Sequence, residues 1–286
     1  MGKAMEVMAE EIAAQAKIFE MFGEDVMSQV DALFQRTGLA KKINRVYITG
    51  CGDSYCAGLA CRDFFVKYAK VPVEVHQAVE FSRYICPNEV DEHAAVLSIS
   101  SSGRVARTVE CALRAKQKNA FSIGITSRPD SRLAEAANEK IVIQIPDVVG
   151  VAPGTQSYMA SQLGILCFAL VLGKERGVLS DSAVASIFQY IAELGKAMRL
   201  TTEKNFALIR KYVEAYSSAE NPNRIKIFHI LGSGPNWGTA QFGSMKLLEA
   251  SGFDSIPQGI EEWAHTQYFT TRPGTHTIVI APRGQV

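Results

Sequence analysis

Two stretches of this sequence share one build and limit the folds open to it. Ile48-Thr49-Gly50-Cys51-Gly52 and Ile230-Leu231-Gly232-Ser233-Gly234 each carry apolar residues into a Gly-x-Gly turn, and helical patterning follows both. An apolar run that breaks at such a turn and opens a helix begins a parallel α/β unit. Two copies of one α/β unit are the simplest account of the repeat. A length of 286 residues has room for them, and a hydrophobic content of 47% supplies a sizeable core.

The intervening patterns keep the same rhythm. After an N-terminal apolar pattern over 5–36, expected as two helices broken near Gly23, strands are expected at 45–49, 71–76, 94–99, 120–125 and 141–145. Helices are expected at about 55–68 and 104–118, with a short one near 131–137. Strands alternating with helices predict a parallel sheet covered on both faces. Residues 157–172 are almost wholly apolar, yet a bilayer needs about 20 such residues, so a helix buried in the core or at a dimer contact is expected. Two further helical runs over 182–219 and the turn Asn221-Pro222-Asn223 lead to a strand at 224–231, a helix near 238–250, a helix-like stretch at 260–269 and a strand at 276–281. The expected fold is therefore α/β, with two three-layer αβα units. The N-terminal helices and first unit take 1–198, and the second takes 199–286. That second unit is shorter by about two strand–helix steps and is expected to be incomplete at its C-terminus.

Totals exclude several classes. The net charge is +1 and no basic run is longer than two residues, as at Lys41-Lys42, which does not make a nucleic-acid surface. No basic, apolar and small-residue succession marks a secretory signal. The six cysteines form no CxxC pair, so zinc is not expected, and reduced, buried thiols in a cytoplasmic protein fit them. No membrane partner is expected.

Chemistry concentrates at the turns. Ser100-Ser101-Ser102-Gly103 ends an apolar strand and precedes a helical pattern, a place where backbone N–H groups and hydroxyls converge on an anion. Serines chosen to cap the following helix are the alternative. The first Gly-x-Gly turn is half a dinucleotide fingerprint, but Tyr55 stands where a third glycine belongs and the next strand ends in His76-Gln77 rather than an acid. A smaller anion, held with help from Ser54 and Gly52, fits better than a nicotinamide cofactor. No cofactor is expected. In the second copy Asn236 replaces the serine and Pro235 removes an N–H, which makes a poorer seat. Farther on, Lys246 and Glu249 share a helix face, either as an ordinary ion pair or as catalytic groups. His265 follows sixteen residues after Glu249, beside Glu262, as a polar helix cap or as an acid/base.

Taken in order, CGDSY (51–55), SSSGR (100–104) and VAPGTQSY (151–158), with the opening MAEEIAAQ (8–15), resemble the SIS (sugar isomerase) domain family. The likeness is greatest to the isomerase part of glucosamine-6-phosphate synthase and to relatives acting on fructosamine phosphates. It implies that Ser54, Ser100, Ser101, Ser102 and Thr155 hold a sugar phosphate, with Gly103 and Glu262 lining the substrate. It also implies that Glu249, His265 and Lys246 carry proton transfer at sugar carbons 1 and 2, in a homodimer with sites near the subunit interface. Members commonly show Glu-Thr after the glycine where this chain has Arg104-Val105, and Ser-Thr-Lys near Thr155-Gln156. The resemblance further implies a lysine on a C-terminal tail, and the sequence shows neither that tail nor a glutaminase domain. A stand-alone isomerase, deaminase or deglycase is expected, with a non-catalytic sugar-phosphate-binding regulator as the alternative.

Overall fold

The computed structural model describes residues 2–146, 153–217 and 227–282. The expected turn at 221–223, and Val151 and Ala152, lie outside the described residues. Strand β3 (Ala94–Ile99), buried along its whole length, is the middle strand of a parallel sheet ordered β2-β1-β3-β4-β5. Alternate residues of β3 serve two cores, as the two-residue period of a strand requires. Ala95, Leu97 and Ile99 join Val46 and Ile48 of β1 (Arg45–Gly50) and Ile123 and Ile125 of β4 (Phe121–Thr126). Ala94 and Val96 face the other way and join Tyr47, Phe81 and Cys111. The remaining strands are β2 (Val73–Gln77) and β5 (Glu139–Val142).

Helices cover both faces. On the first lie α1 (Gly2–Thr37), α2 (Asp53–Ala69) and α7 (Gln156–Glu175). On the second lie α3 (Ala78–Glu80), a π-helical stretch Phe81–Ile85, α4 (Cys86–Glu89) and α5 (Ala106–Gln117). The short α6 (Arg132–Ala136) follows β4. By length and composition α7 would pass for a membrane span, but 83% of its apolar window is buried inside the protein. It is the core helix of the first unit.

The second sheet, β7-β6-β8, is built of β6 (Ile227–Gly232), β7 (Asp254–Gln258) and β8 (Thr275–Ile280), all parallel. Helix α9 (Pro235–Ser251) follows β6, and α10 (Ile260–His265) with a 3₁₀ turn Gln267–Thr270 precedes β8. The repeat read from the sequence is therefore a repeat in space. Gly52 (φ 56°, ψ −125°) and Gly234 (φ 57°, ψ −131°) hold the same backbone conformation, one that a side chain disfavours, and each caps the helix after it.

Two expected breaks are absent. Helix α1 runs through Gly23, whose missing side chain makes room for the ring of Phe188: a Cβ there would lie 3.0 Å from Phe188 Cζ. Helix α8 (Asp181–Ser217) is likewise continuous and passes through residue 198. In both cases the expected division marks a place on one long helix.

The units meet where α2 packs on α9. A Cβ on Gly238 would stand 2.5 Å from the backbone nitrogen of Ala60 and 2.6 Å from the carbonyl of Cys56, so the two helices touch backbone to backbone. Beside this contact Phe242 stacks on Tyr158 of α7, with centroids 3.8 Å apart and planes 8° from parallel. Replacing Gly238 by Ala is expected to cost about 1–3 kcal/mol in urea unfolding, the usual range for overpacking a contact that cannot yield. An unchanged midpoint would show that the helices separate freely.

Candidate functional site

Polar side chains gather at the C-terminal edge of the first sheet. The chain leaves β1 toward β2 on one side and leaves β3 toward β4 on the other, and the turns after β1 and β3 flank that switch point. The turn after β3 is not the cap of α5. Val105 takes the N-cap position and accepts no side-chain hydrogen bond. The serines are spent differently. Ser100 is 3% exposed and its hydroxyl has no hydrogen-bond partner among the described residues. Ser101 Oγ lies 3.0 Å from Ser127 Oγ, and Ser102 Oγ accepts from the Arg104 backbone N–H. Gly103 (φ 62°) presses on Ser131, and its carbonyl accepts from the Leu133 N–H.

Ser101 and Ser102 open into a cavity of about 660 Å³, whose wall also carries Arg104, Ser127, Arg128 and Arg132. Arg104 and Arg132 are exposed and make no ion pair among the described residues. Ser127, Arg128 and Arg132 were not singled out from the sequence. The signal available for them was position, because the segment after β4 ends at the same sheet edge as the serine turn. Ser54 stands on the first turn of α2, buried, and Gly52 caps that helix.

Thr155 is buried and already engaged by a residue of the cavity wall. The carboxylate of Glu11, on α1, accepts from the backbone N–H of Thr155 (2.8 Å) and of Gln156 (3.1 Å), from Thr155 Oγ1 (3.4 Å) and from Gln156 Nε2 (2.9 Å). Glu11 thus satisfies the N-terminus of α7 with an internal anion and lines the same cavity. Nothing in the sequence pairs residues so far apart; Glu11 lies within the MAEEIAAQ stretch of the resemblance.

The second unit contributes Lys246 and Glu249 from α9. Lys246 Nζ donates to Glu249 Oε2 at 2.8 Å and to Asp53 Oδ2, on the first turn of α2, also at 2.8 Å. The Lys246 side chain is 9% exposed, against 44% for Glu249. Burial alone would depress the ammonium, but its bonds to Asp53 and Glu249 outweigh that and hold its pKa above the ordinary lysine value. Burial raises the Asp53 carboxyl against the pull of Lys246. The i,i+3 pair expected from the sequence is present, but it reaches across to the turn that bears Ser54.

His265 and Glu262 make no side-chain bond to this cluster among the described residues. His265, its side chain 66% exposed, is bonded to Glu261 (3.1 Å) and to no residue of the first unit among those described. The carboxylate at its ring is Glu261 rather than Glu262. Glu262 lines a separate groove with Asp63, Ser233, Trp237 and Gln258.

This architecture defines a doubly wound α/β protein that gathers its polar side chains at the C-terminal edge of a parallel sheet. Residues 39–170 match the model of the SIS domain, and the chain carries a domain of that family. A glutamine–fructose-6-phosphate aminotransferase [isomerizing] of Caldanaerobacter subterraneus is 31% identical over 241 residues, 84% of this chain and 38% of the relative. The chain thus spans about two fifths of that relative's length. Its fold is that of the C-terminal domain of glucosamine-fructose-6-phosphate aminotransferase from Francisella tularensis (TM-score 0.82, 24% identity, 98% of this chain and 77% of that one). Glucosamine-6-phosphate deaminase from Thermotoga maritima shares it too (TM-score 0.69, 18% identity, 96% and 77% covered).

Two predictions test this geometry. Glu11→Ala leaves the N–H groups of Thr155 and Gln156 without their acceptor and is expected to cost about 1–3 kcal/mol in urea unfolding. Glu11→Gln, which keeps an acceptor oxygen, should cost less. Of the six cysteines only Cys51, in the first Gly-x-Gly turn, is exposed. Burial pushes Cys56 and Cys111 up to about 12 and raises Cys61, Cys86 and Cys167 as well. Thiolates are therefore scarce at those five positions at pH 8, and iodoacetamide should modify Cys51 alone in the native chain. Mass spectrometry showing a second modified cysteine in the folded protein contradicts the burial pattern.

Proposed function

We propose that this chain binds an amino-sugar or fructosamine phosphate and moves a proton between sugar carbons 1 and 2, as an isomerase, deaminase or deglycase. The observation that carries the reading is the reach of Lys246, itself bonded to Glu249, to Asp53 on the first turn of α2. Through that lysine a carboxylate of the second unit is linked to the turn that bears Ser54. The names of the relatives support the substrate class, since they refer to fructose 6-phosphate and glucosamine 6-phosphate.

In this reading the phosphate lies against Ser54, Ser100, Ser101 and Ser102. The unpartnered hydroxyl of Ser100 is a donor in need of an acceptor. Arg104 adds charge at the cavity wall, and Thr155 contributes through its bond to Glu11 of that wall. Glu249 takes the proton from one carbon of the open-chain sugar and returns it to the next. Such a step needs a base within hydrogen-bond reach of the carbon-bound proton and a donor at the carbonyl oxygen that becomes negative. Lys246 lies beside Glu249 to serve as that donor. Exposed and unconnected to Glu249, His265 is assigned to ring opening in the site of a second copy, in a cytoplasmic homodimer. Release of an amine by hydrolysis of the same enolamine would make the protein a deglycase.

A regulator that binds sugar phosphate without turnover is the second reading, favoured by the bond of His265 to Glu261 rather than to the cluster. One experiment separates the two. The native chain is incubated with fructosamine 6-phosphates and with glucosamine 6-phosphate, and products are followed by mass spectrometry. Turnover is expected, with kcat reduced about 10²- to 10⁴-fold in Glu249→Gln and phosphosugar binding retained by calorimetry. Binding without product from any of these sugars supports the regulator and overturns the enzyme.

A further inference from the structure

We propose that Asp53 is a positioning residue, which fixes through Lys246 the place where the Glu249 carboxylate stands. The inference rests on the reading of Glu249 as the base and adds to it a residue to which the resemblance gave no role.

On α9 alone, Glu249 has no fixed place. Its side chain is half-exposed, and its hydrogen bond comes from a lysine on the same helix. A solvated i,i+3 pair of that kind is worth only a few tenths of a kcal/mol and leaves both side chains mobile. Here the lysine is not mobile. Its stem is buried at the junction of the two units, and its ammonium lies 5.4 Å from the centroid of the Phe242 ring. Its head is tied to Asp53 at 2.8 Å. Asp53 in turn opens α2 directly after Gly52, where the positive end of the helix favours a carboxylate. The connection runs from the glycine turn to Asp53, from Asp53 to Lys246, and from Lys246 to Glu249.

Charge adds to the geometry. With Asp53 absent, Lys246 and Glu249 would neutralise each other as a closed pair. With Asp53 present, two carboxylates divide one ammonium, and the cluster as a whole stays an acceptor of protons. Asp53 therefore keeps Glu249 in place without cancelling its charge. Asp53 adjoins Ser54, so the residue that holds the second unit's carboxylate is the neighbour of one that faces the phosphate.

Asp53→Asn keeps the shape and removes the charge. In its crystal structure the Glu249 carboxylate is expected to leave its wild-type position or to lose density. In a ¹³Cε titration, the Lys246 midpoint should move to lower pH, since one of the two acids that raise it is gone. With whichever phosphosugar the native chain turns over, kcat should fall about 10- to 100-fold while KM changes less than about threefold, and Asp53→Glu should restore part of the loss. Glu249 unmoved in the crystal, or an unshifted Lys246 midpoint, overturns the inference. So does an Asp53→Asn chain with normal kcat. A native chain that turns over no phosphosugar overturns the proposed function alone, because the crystal and the titration still decide whether Asp53 positions Glu249. Should Asp53→Asn fail to fold, Asp53→Ser is carried through the same three measurements.

Discussion

The close crossing of α2 and α9 is the contact on which the rest of the arrangement depends. Each helix belongs to a different sheet and begins from the same glycine-capped turn, so the crossing ties two copies of one motif together near their equivalent ends. Gly238 lets the backbones touch, and Phe242 and Met245 carry the second unit's apolar surface onto the core of the first. A separation of even one side-chain layer between these helices would take Lys246 out of reach of Asp53. The candidate chemistry is therefore a product of packing, and the polar contacts are possible only because the apolar ones set their distance.

How much of this the sequence disclosed depended on range. Periodicities of two and of three to four residues are local, and they located every strand but β7, and most of the helices, to within a few positions. The repeated Gly-x-Gly turns were legible because a backbone conformation closed to other residues leaves a glycine in the sequence. The same logic misled at Gly23, where a glycine that admits Phe188 looks identical to one that ends a helix. Position 198 gave no sign that α8 continues, since a polar stretch on an exposed helix resembles a linker.

The candidate site was legible where its residues cluster in sequence and hidden where they do not. The serine turn and the Lys246–Glu249 pair were visible as short motifs. Asp53 stood inside one of those motifs, but its role lies 193 residues away and only the crossing of α2 and α9 reveals it. The charge of Glu11 gave no hint that it would be buried at a helix start. Ser127 and Arg132 form no motif at all, and topology alone brings them to the serine turn. His265 shows the converse limit, since spacing alone does not say which site a residue serves, and within this chain its ring meets only Glu261 among the described residues.

The bond between Glu11 and the start of α7 spans 144 residues. Strand pairing between neighbours in the sheet closes much shorter loops, so the sheet edge has reason to assemble before this last wall of the cavity. The wall also has the lower threshold for coming apart. Helix α1 can fray from its N-terminal end while the strands stay paired, and each such event exposes the amides of Thr155 and Gln156. Hydrogen exchange at those two amides thus reports on the far end of the chain, and the cavity is as permanent as the first turns of α1.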